Sequence, residues 1–327
     1  MRYEISINGL DHAYRREWGC SCARCLEVRP NANTSVSLLG FEAQMLAFHA
    51  LIDAGGGVTD SLLANPDLRL EPRLDWVWLT HWHPDHVSEL QRIAISLWRA
   101  LQRRQRSASQ PRLWMREGSR MWLERQQPHA LAAFEVISSL EYLPAGNLLE
   151  PLPLGLPDLE VTPITLAHSS ADLFPPHGEE KLPCCAGFIL QTAGHKTALL
   201  WDLDATNLWL EQRSGKSFEL LHGCQNLFID SNTWSYQVQP NGLPTSHSSF
   251  ALIKRFAGVL EPHNTYLVHI SGHEDAIGDG FGWSNEIWQL EAQKAWREAG
   301  LHGQVFVPSI GQRIALVPQQ VLSAFGD

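Results

Sequence analysis

The 327-residue sequence predicts an α/β fold, and three observations carry that expectation. Apolar strand-like runs alternate with helical periodicities along the chain. No shift in composition splits it into halves, so one domain spanning 1–327 is expected. Hydrophobic residues make up 44% and charged residues 18%, enough apolar material for a large core and too little charge for wholesale disorder.

Taken in order, Leu51–Gly57 (LIDAGGG) reads as a buried strand entering a tight turn, where glycine permits positive φ. Asp75–Thr80 (DWVWLT) is a short apolar strand running into a histidine cluster. From Val87 to about Arg103 the period becomes helical, with Leu90, Ile93, Ala94, Leu97 and Leu101 spaced by three or four. Gln102–Pro111 is the most polar stretch and reads as a helix end passing into a loop. Strands are expected at Leu159–Leu166, Gly187–Gln191, Thr197–Leu203, Asn226–Asp230 and Thr265–Ser271. Ser248–Val259 and Asn285–Ala299 read as helices, and Val305–Pro308 and Arg313–Val317 as closing β segments.

The formal charge of −10 and a sequence pI near 5.8 argue against a broad basic surface, and so against a nucleic-acid partner. The start, MRYEISINGL, has no long apolar region, and no run approaches the roughly 18 residues of a membrane span. A soluble, cytoplasmic protein with no membrane partner is expected.

Fifteen histidines and six cysteines stand out. His81-Trp82-His83-Pro84-Asp85-His86 places four candidate ligands in six residues at a strand-to-helix junction. Alternate residues at a strand end share a side, so His81 and His83 can reach one ion, and the turn lets Asp85 and His86 reach a second point. Neutral imidazoles and carboxylates suit Zn, Mn or Fe(II). Near the amino terminus, Cys20, Cys22 and Cys25 can wrap one zinc tetrahedrally, leaving a fourth position for a histidine; this Cys-rich loop covers about 18–26. A disulfide framework is not expected in a chain with so large a core.

The HxHxDH segment resembles the signature of the metallo-β-lactamase superfamily, and later residues match its order. Asp53 resembles the early orienting aspartate, His168 the third histidine, Asp204 the metal-bridging carboxylate and His269 the final histidine. Asp202 lies two residues away on the same expected face and is an alternative to Asp204. The resemblance implies a four-layer αββα sandwich with a dinuclear site. One divalent ion (Zn or Mn, with Fe a further option) would take His81, His83 and His168. The other would take Asp85, His86 and His269, with Asp204 between them.

A CxCxxC ahead of such a core resembles two branches, the phosphoribosyl cyclic phosphate phosphodiesterases and the PqqB-type proteins. In the former a histidine shortly after the final active-site histidine completes a structural zinc site. Here His273 stands one residue further along than that spacing, with His12 and His247 as alternatives. The intact HxHxDH set favours the phosphodiesterase branch. Ala171–Pro183 and Ile229–Trp234 resemble PqqB-type segments instead, and Thr233 stands where the phosphodiesterases have a further histidine. His247 is the natural substitute as general acid, since a histidine suits protonation of a leaving alkoxide. Asp85 and His247 are thus the candidate catalytic residues.

The expected function is hydrolysis of a small anionic phosphodiester, such as a cyclic phosphate, by a dinuclear-metal-activated hydroxide. A non-hydrolytic, PqqB-like Fe(II) oxygenase or cofactor-biosynthesis protein is the alternative. Related proteins are commonly dimeric, which admits a homodimer.

Overall fold

A computed structural model describes residues 1–14, 16–28, 30–107, 109–168, 184–235, 246–273, 275 and 278–316. The segment Ala171–Pro183 and Val317 lie outside the described residues.

The strands are β1 (Arg2–Gly9), β2 (Ser35–Glu42), β3 (Met45–Ile52), β4 (Trp76–Trp78), β5 (Arg112–Arg116), β6 (Glu135–Ser139), β7 (Glu160–Thr165), β8 (Ala186–Thr192), β9 (His195–Leu200), β10 (Asn226–Asp230), β11 (Asn264–Val268), β12 (Gln304–Phe306) and β13 (Arg313–Ala315). The helices are α1 (Ala23–Leu26), α2 (Val58–Ala64), α3 (Pro66–Leu70), α4 (Pro84–Val87), α5 (Leu90–Arg103), α6 (Glu117–Gln126), α7 (Pro128–Leu131), α8 (Lys216–Leu221), α9 (Phe250–Leu260) and α10 (Asn285–Glu298).

Among the described residues, two mixed sheets form, ordered β13-β1-β2-β3-β4-β5-β6 and β12-β11-β10-β9-β8-β7. Each is antiparallel on one side and parallel on the other: β3 through β6 run parallel, as do β9 through β12. One cluster of buried side chains joins the inner faces, with Ile5, Val36, Leu38 and Trp78 of the first sheet against Phe188, Leu199 and Ile229 of the second. Trp78 and Phe188 meet across it at 5.5 Å. The outer face of the first sheet (Leu51, Val77, Leu113) packs on α5 and α6 through Leu90, Ile93 and Leu123. Helices α9 and α10 bury Ile253, Phe256, Trp288 and Trp296 beside the second sheet. The layers are therefore helix, sheet, sheet, helix, the metallo-β-lactamase fold, because each sheet has two apolar faces to cover. No helix among the described residues is long and apolar enough to cross a membrane.

The elements depart from sequence expectation at their ends, for local reasons. The helix expected from Val87 is split, because His83 precedes Pro84 at the start of α4 and α5 begins separately at Leu90. Helix α9 starts at Phe250, since the Ser249 hydroxyl accepts from Leu252 N at 3.3 Å as a cap. Strands β9 and β11 stop at Leu200 and Val268, short of their expected ends, because Asp202 and His269 adopt φ of +60° and +58°. A left-handed residue cannot continue an extended strand.

Candidate metal centre

The side chains that carry chemistry sit at the carboxyl ends of strands from both sheets. Asp53 follows β3, the HxHxDH residues follow β4, His168 follows β7, Asp202 follows β9, Asp230 ends β10 and His269 follows β11. Three of them, Asp53, Asp202 and His269, have positive φ. Such strain in non-glycine residues costs free energy and is characteristic of functional sites.

Asp53 is the hub of the orienting network. Its carboxylate accepts from Thr80 N (2.8 Å), the Thr80 hydroxyl (2.8 Å) and Trp201 Nε1 (2.8 Å), and from His86 Nδ1 at 2.7 Å. Fixing the His86 proton on Nδ1 turns its Nε2 lone pair inward, the role of an outer partner to a metal ligand. His168 is set likewise, with Nδ1 donating to the Ser246 carbonyl at 2.9 Å.

The inward-facing atoms form linked groups whose ligand atoms lie within 4.8 Å of one another: His81, His83 and His168; His81, His86 and Asp202; and Asp85, His86 and His269. The first and third are the two ligand sets that the resemblance implied. The middle one joins them through Asp202, whose oxygens lie 3.1 Å from His86 Nε2 and 3.4 Å from His269 Nε2.

Asp204, expected as the bridge, is elsewhere. Its Oδ1 accepts from Thr206 N at 2.8 Å and from the Thr206 hydroxyl at 2.5 Å, closing a local turn. The i, i+2 same-face rule fails here because the strand has ended and Asp202 turns the chain. Asp202 is the carboxylate that lies between the two groups.

Burial pushes His83 down to about 4 and His168 to about 3, which keeps both imidazoles neutral, the ligand form. For Asp85 and Asp202, burial opposes ionisation, but the surrounding histidines hold both carboxyls well below their ordinary value. Burial likewise opposes a charged His86 or His269, yet Asp202 and its neighbouring carboxylates raise both, His269 to about 10. Carboxylates therefore create a demand for positive charge in a fully buried setting. Among the described residues, His81 Nε2, His86 Nε2 and both Asp202 oxygens are buried without a hydrogen-bond partner. Converging, unpartnered N and O donors around a cation-demanding point fit divalent metals.

His247 lies at the edge of this centre, 8% exposed, with Nδ1 3.1 Å from Asp230 Oδ2 and 3.8 Å from Asp202 Oδ1. His12, which sequence reasoning held only as an alternative zinc ligand, is here too, its Nε2 3.2 Å from His247 Nε2. Asp230 was missed as a site residue; its position at the end of β10, level with the other carboxyl ends, was the available signal.

Cys20, Cys22, Cys25 and His273 come together as a second group of possible ligands, with His12 and His247 placed elsewhere. His273 Nε2 lies 3.4 Å from Cys22 Sγ and 3.2 Å from Cys25 Sγ. A Cβ at Gly282 would stand 2.3 Å from Cys22 Cβ, so that loop closes on the cluster only with glycine, which also has φ +62°. Three thiols and an imidazole at mutual contact are the donor set of a tetrahedral structural zinc. The Arg24 guanidinium, between the cysteines, is fully buried and donates to Asp11 Oδ1 (2.5 Å) and the Ile270 carbonyl (2.9 Å).

A sheet sandwich with histidines and aspartates gathered at its strand ends defines a class, the metallo-β-lactamase-type metalloproteins. Residues 49–270 match the family described as the Beta-lactamase superfamily domain, and the chain belongs to that family. No curated protein matches the sequence. Among solved structures, the chain is similar to a diphosphatase from the PhnP family (18% identity, 96% of this chain and 97% of that one, TM-score 0.59). It is similar also to the metallo-beta-lactamase fold protein YhfI from Bacillus subtilis (11%, 96% and 100%, TM-score 0.58). A third match is the short form of human tRNase Z (15%, 96% and 99%, TM-score 0.57). At these identities the likeness is one of fold.

Proposed function

We propose that the chain is a metal-dependent hydrolase of a small phosphodiester such as a cyclic phosphate. The observation that carries this reading is the convergence of His81 Nε2, His86 Nε2 and the Asp202 carboxylate on one buried point among further ligand candidates. His81, His83 and His168 would hold one divalent ion, and Asp85, His86 and His269 the other, with Asp202 between. Zinc or manganese fits these donors, and iron shares the preference. Ions so held supply Lewis acidity and lower the pKa of water towards neutrality.

The chain's own residues account for the rest. Asp53 and the Ser246 carbonyl hold His86 and His168 in their ligating tautomers. Asp230 holds His247 through Nδ1 at the edge of the centre, and His247 is the side chain we assign to handle a proton at a leaving-group oxygen, the general-acid role. A phosphorus-ester substrate is supported by that pair and by the similarity to a diphosphatase of the PhnP family. Cysteine thiolates with His273 would hold one further zinc in a structural role.

The test is turnover of bis(p-nitrophenyl) phosphate and of a 2′,3′-cyclic nucleotide by protein loaded with Zn or Mn. Activity that collapses in His81→Ala and Asp85→Ala is the expected result. Oxygen uptake with Fe(II) and no hydrolysis under any divalent metal would replace this reading with an oxygenase.

A further inference from the structure

The helical layer on the outer face of the first sheet is not filled continuously. Leu68 of α3 belongs to a small apolar cluster with Leu39, Phe41 and Leu46, whereas Leu74 and Ile93 belong to the larger cluster packed on α5 and α6. Leu62 of α2 packs against both. Between the two lies an open cavity of about 260 Å³, bounded by α2, α3, the Pro72–Leu74 connection and α5, and reaching His49 of β3. It includes none of the metal-centre residues, and Leu74 leads into β4 at the end opposite His81.

The chemistry of the lining is one-sided. Leu62, Leu63, Leu97 and Ala100 give it apolar walls, and arginines at 69, 73 and 104 join them. Among the described residues no carboxylate lines it. Arg73 is paired with Asp75 at 2.7 Å. Arg69 and Arg104 are exposed, which puts them at the mouth, and neither forms an ion pair among the described residues. Arg104 donates instead to the carbonyls of Leu70 at 2.6 Å and Arg69 at 3.1 Å. Neutral acceptors hold that guanidinium in place and leave its charge uncompensated. The sequence reinforces the sign: from Leu90 to Arg116 it carries seven arginines and no acidic residue, in a chain of formal charge −10.

We propose that this cavity is a binding site for a medium-chain carboxylate, with the alkyl chain between α2 and α5 and the carboxylate at Arg69 and Arg104. An apolar recess with a few polar groups at one edge is the common form of a small-molecule site. The volume matches the share of about nine waters in the liquid, room for an alkyl chain of about as many carbons. Water there finds few polar partners, so each methylene that displaces it is gained as buried apolar surface. A guanidinium meets a carboxylate with two parallel N–H···O bonds, which fixes the end of the ligand that faces out. The site is separate from the metal centre and does not depend on the hydrolase reading.

The experiment is isothermal titration calorimetry of the full chain with decanoate, octanoate and decylammonium. One decanoate per chain is expected, with affinity falling about fourfold per methylene removed. Decylammonium, equal in length and opposite in charge, should bind about tenfold more weakly or worse. Ala100→Trp fills the recess and should abolish decanoate binding. Arg69→Glu, at an exposed position that leaves the core intact, should weaken it about tenfold and decides the matter if Ala100→Trp does not fold. His81→Ala should bind decanoate as the parent does, so a protein that hydrolyses nothing leaves this result standing. Loss of decanoate binding in His81→Ala would place the ligand at the metal centre and overturn the proposal. So would unchanged affinity in either cavity variant, equal binding of decylammonium, or uptake of many decanoates without saturation. Absence of decanoate binding overturns it as well; self-association that Ala100→Trp abolishes would then make a second copy of the chain the occupant.

Discussion

Arg24 and Asp11 form an ion pair at 2.5 Å in which both side chains are fully buried. It ties the cysteine loop to the metal-centre wall, since Arg24 also donates to the carbonyl of Ile270, the residue after His269. Asp11 precedes His12. A pair of this kind contributes little over an apolar substitute, but breaking it strands a charge. Arg24→Met should therefore destabilise by about 3–5 kcal/mol. In urea unfolding, Arg24→Met/Asp11→Leu should lose less than the sum of the single changes. Additive losses would show the pair to be uncoupled.

Asp202 and Asp204 should separate cleanly. Asp202→Asn is expected to lower active-centre metal content, read by elemental analysis, because it removes the carboxylate that faces both ligand groups. Asp204→Asn should retain the metals and cost no more than about 1 kcal/mol, the scale of a local turn hydrogen bond. Equal metal loss in the two would return the bridging position to Asp204.

The cysteine cluster should hold its metal more firmly than the histidine centre. Mild chelation is expected to leave one zinc per chain, and Cys22→Ser should abolish that retained ion and lower Tm. Structural zinc sites contribute directly to folding, which sets the direction of the Tm shift. Retention of the ion in Cys22→Ser would rule out the four-donor site.

His49 gives a pH signature away from the metals. Burial pushes it down to about 4, with Nδ1 2.5 Å from the Arg73 carbonyl and Nε2 2.9 Å from the Ser37 hydroxyl. The unfolded chain takes up a proton near pH 6.5 that the folded chain refuses until about pH 4. Its stabilising contribution is thus complete above pH 6.5, falls as the pH drops through that window, and levels off below. The size is on the order of 3 kcal/mol. In urea titrations, His49→Gln should show a shallower loss of stability between pH 7 and 4.5 than the parent; parallel curves would contradict the assignment.

Much of the site was legible because its ligands are chemically distinctive and locally spaced. The HxHxDH turn and the CxCxxC loop each concentrate their donors within six residues, and Asn226–Asp230 was bounded to the residue. What was lost depended on backbone conformation or on distant contacts. The positive φ at Asp202 inverts the choice between two aspartates, and no period announces it. Asp230 and His12 acquire meaning only when β10 and the segment after β1 are brought together. Strands β1, β2, β5 and β6 were passed over; Arg112–Arg116 (RLWMR) is flanked by arginines that mask a buried parallel strand. Burying Arg116 is possible because its guanidinium donates to the carbonyls of Cys185 and Glu141.

The order of donors along the chain has its own consequence. His81, His83, Asp85 and His86 emerge together, His168 follows after about half the chain, and His269 comes near the end. A growing chain thus gains a complete first trio well before Asp202 and His269 exist to close the second. His273, too, comes some 250 residues after the cysteines it joins. Both centres are consequently finished by the same late stretch, β11 and the turn after it. Synthesis interrupted before that point would leave a thiol-rich loop and a histidine cluster exposed together, each able to capture metal in the wrong partnership.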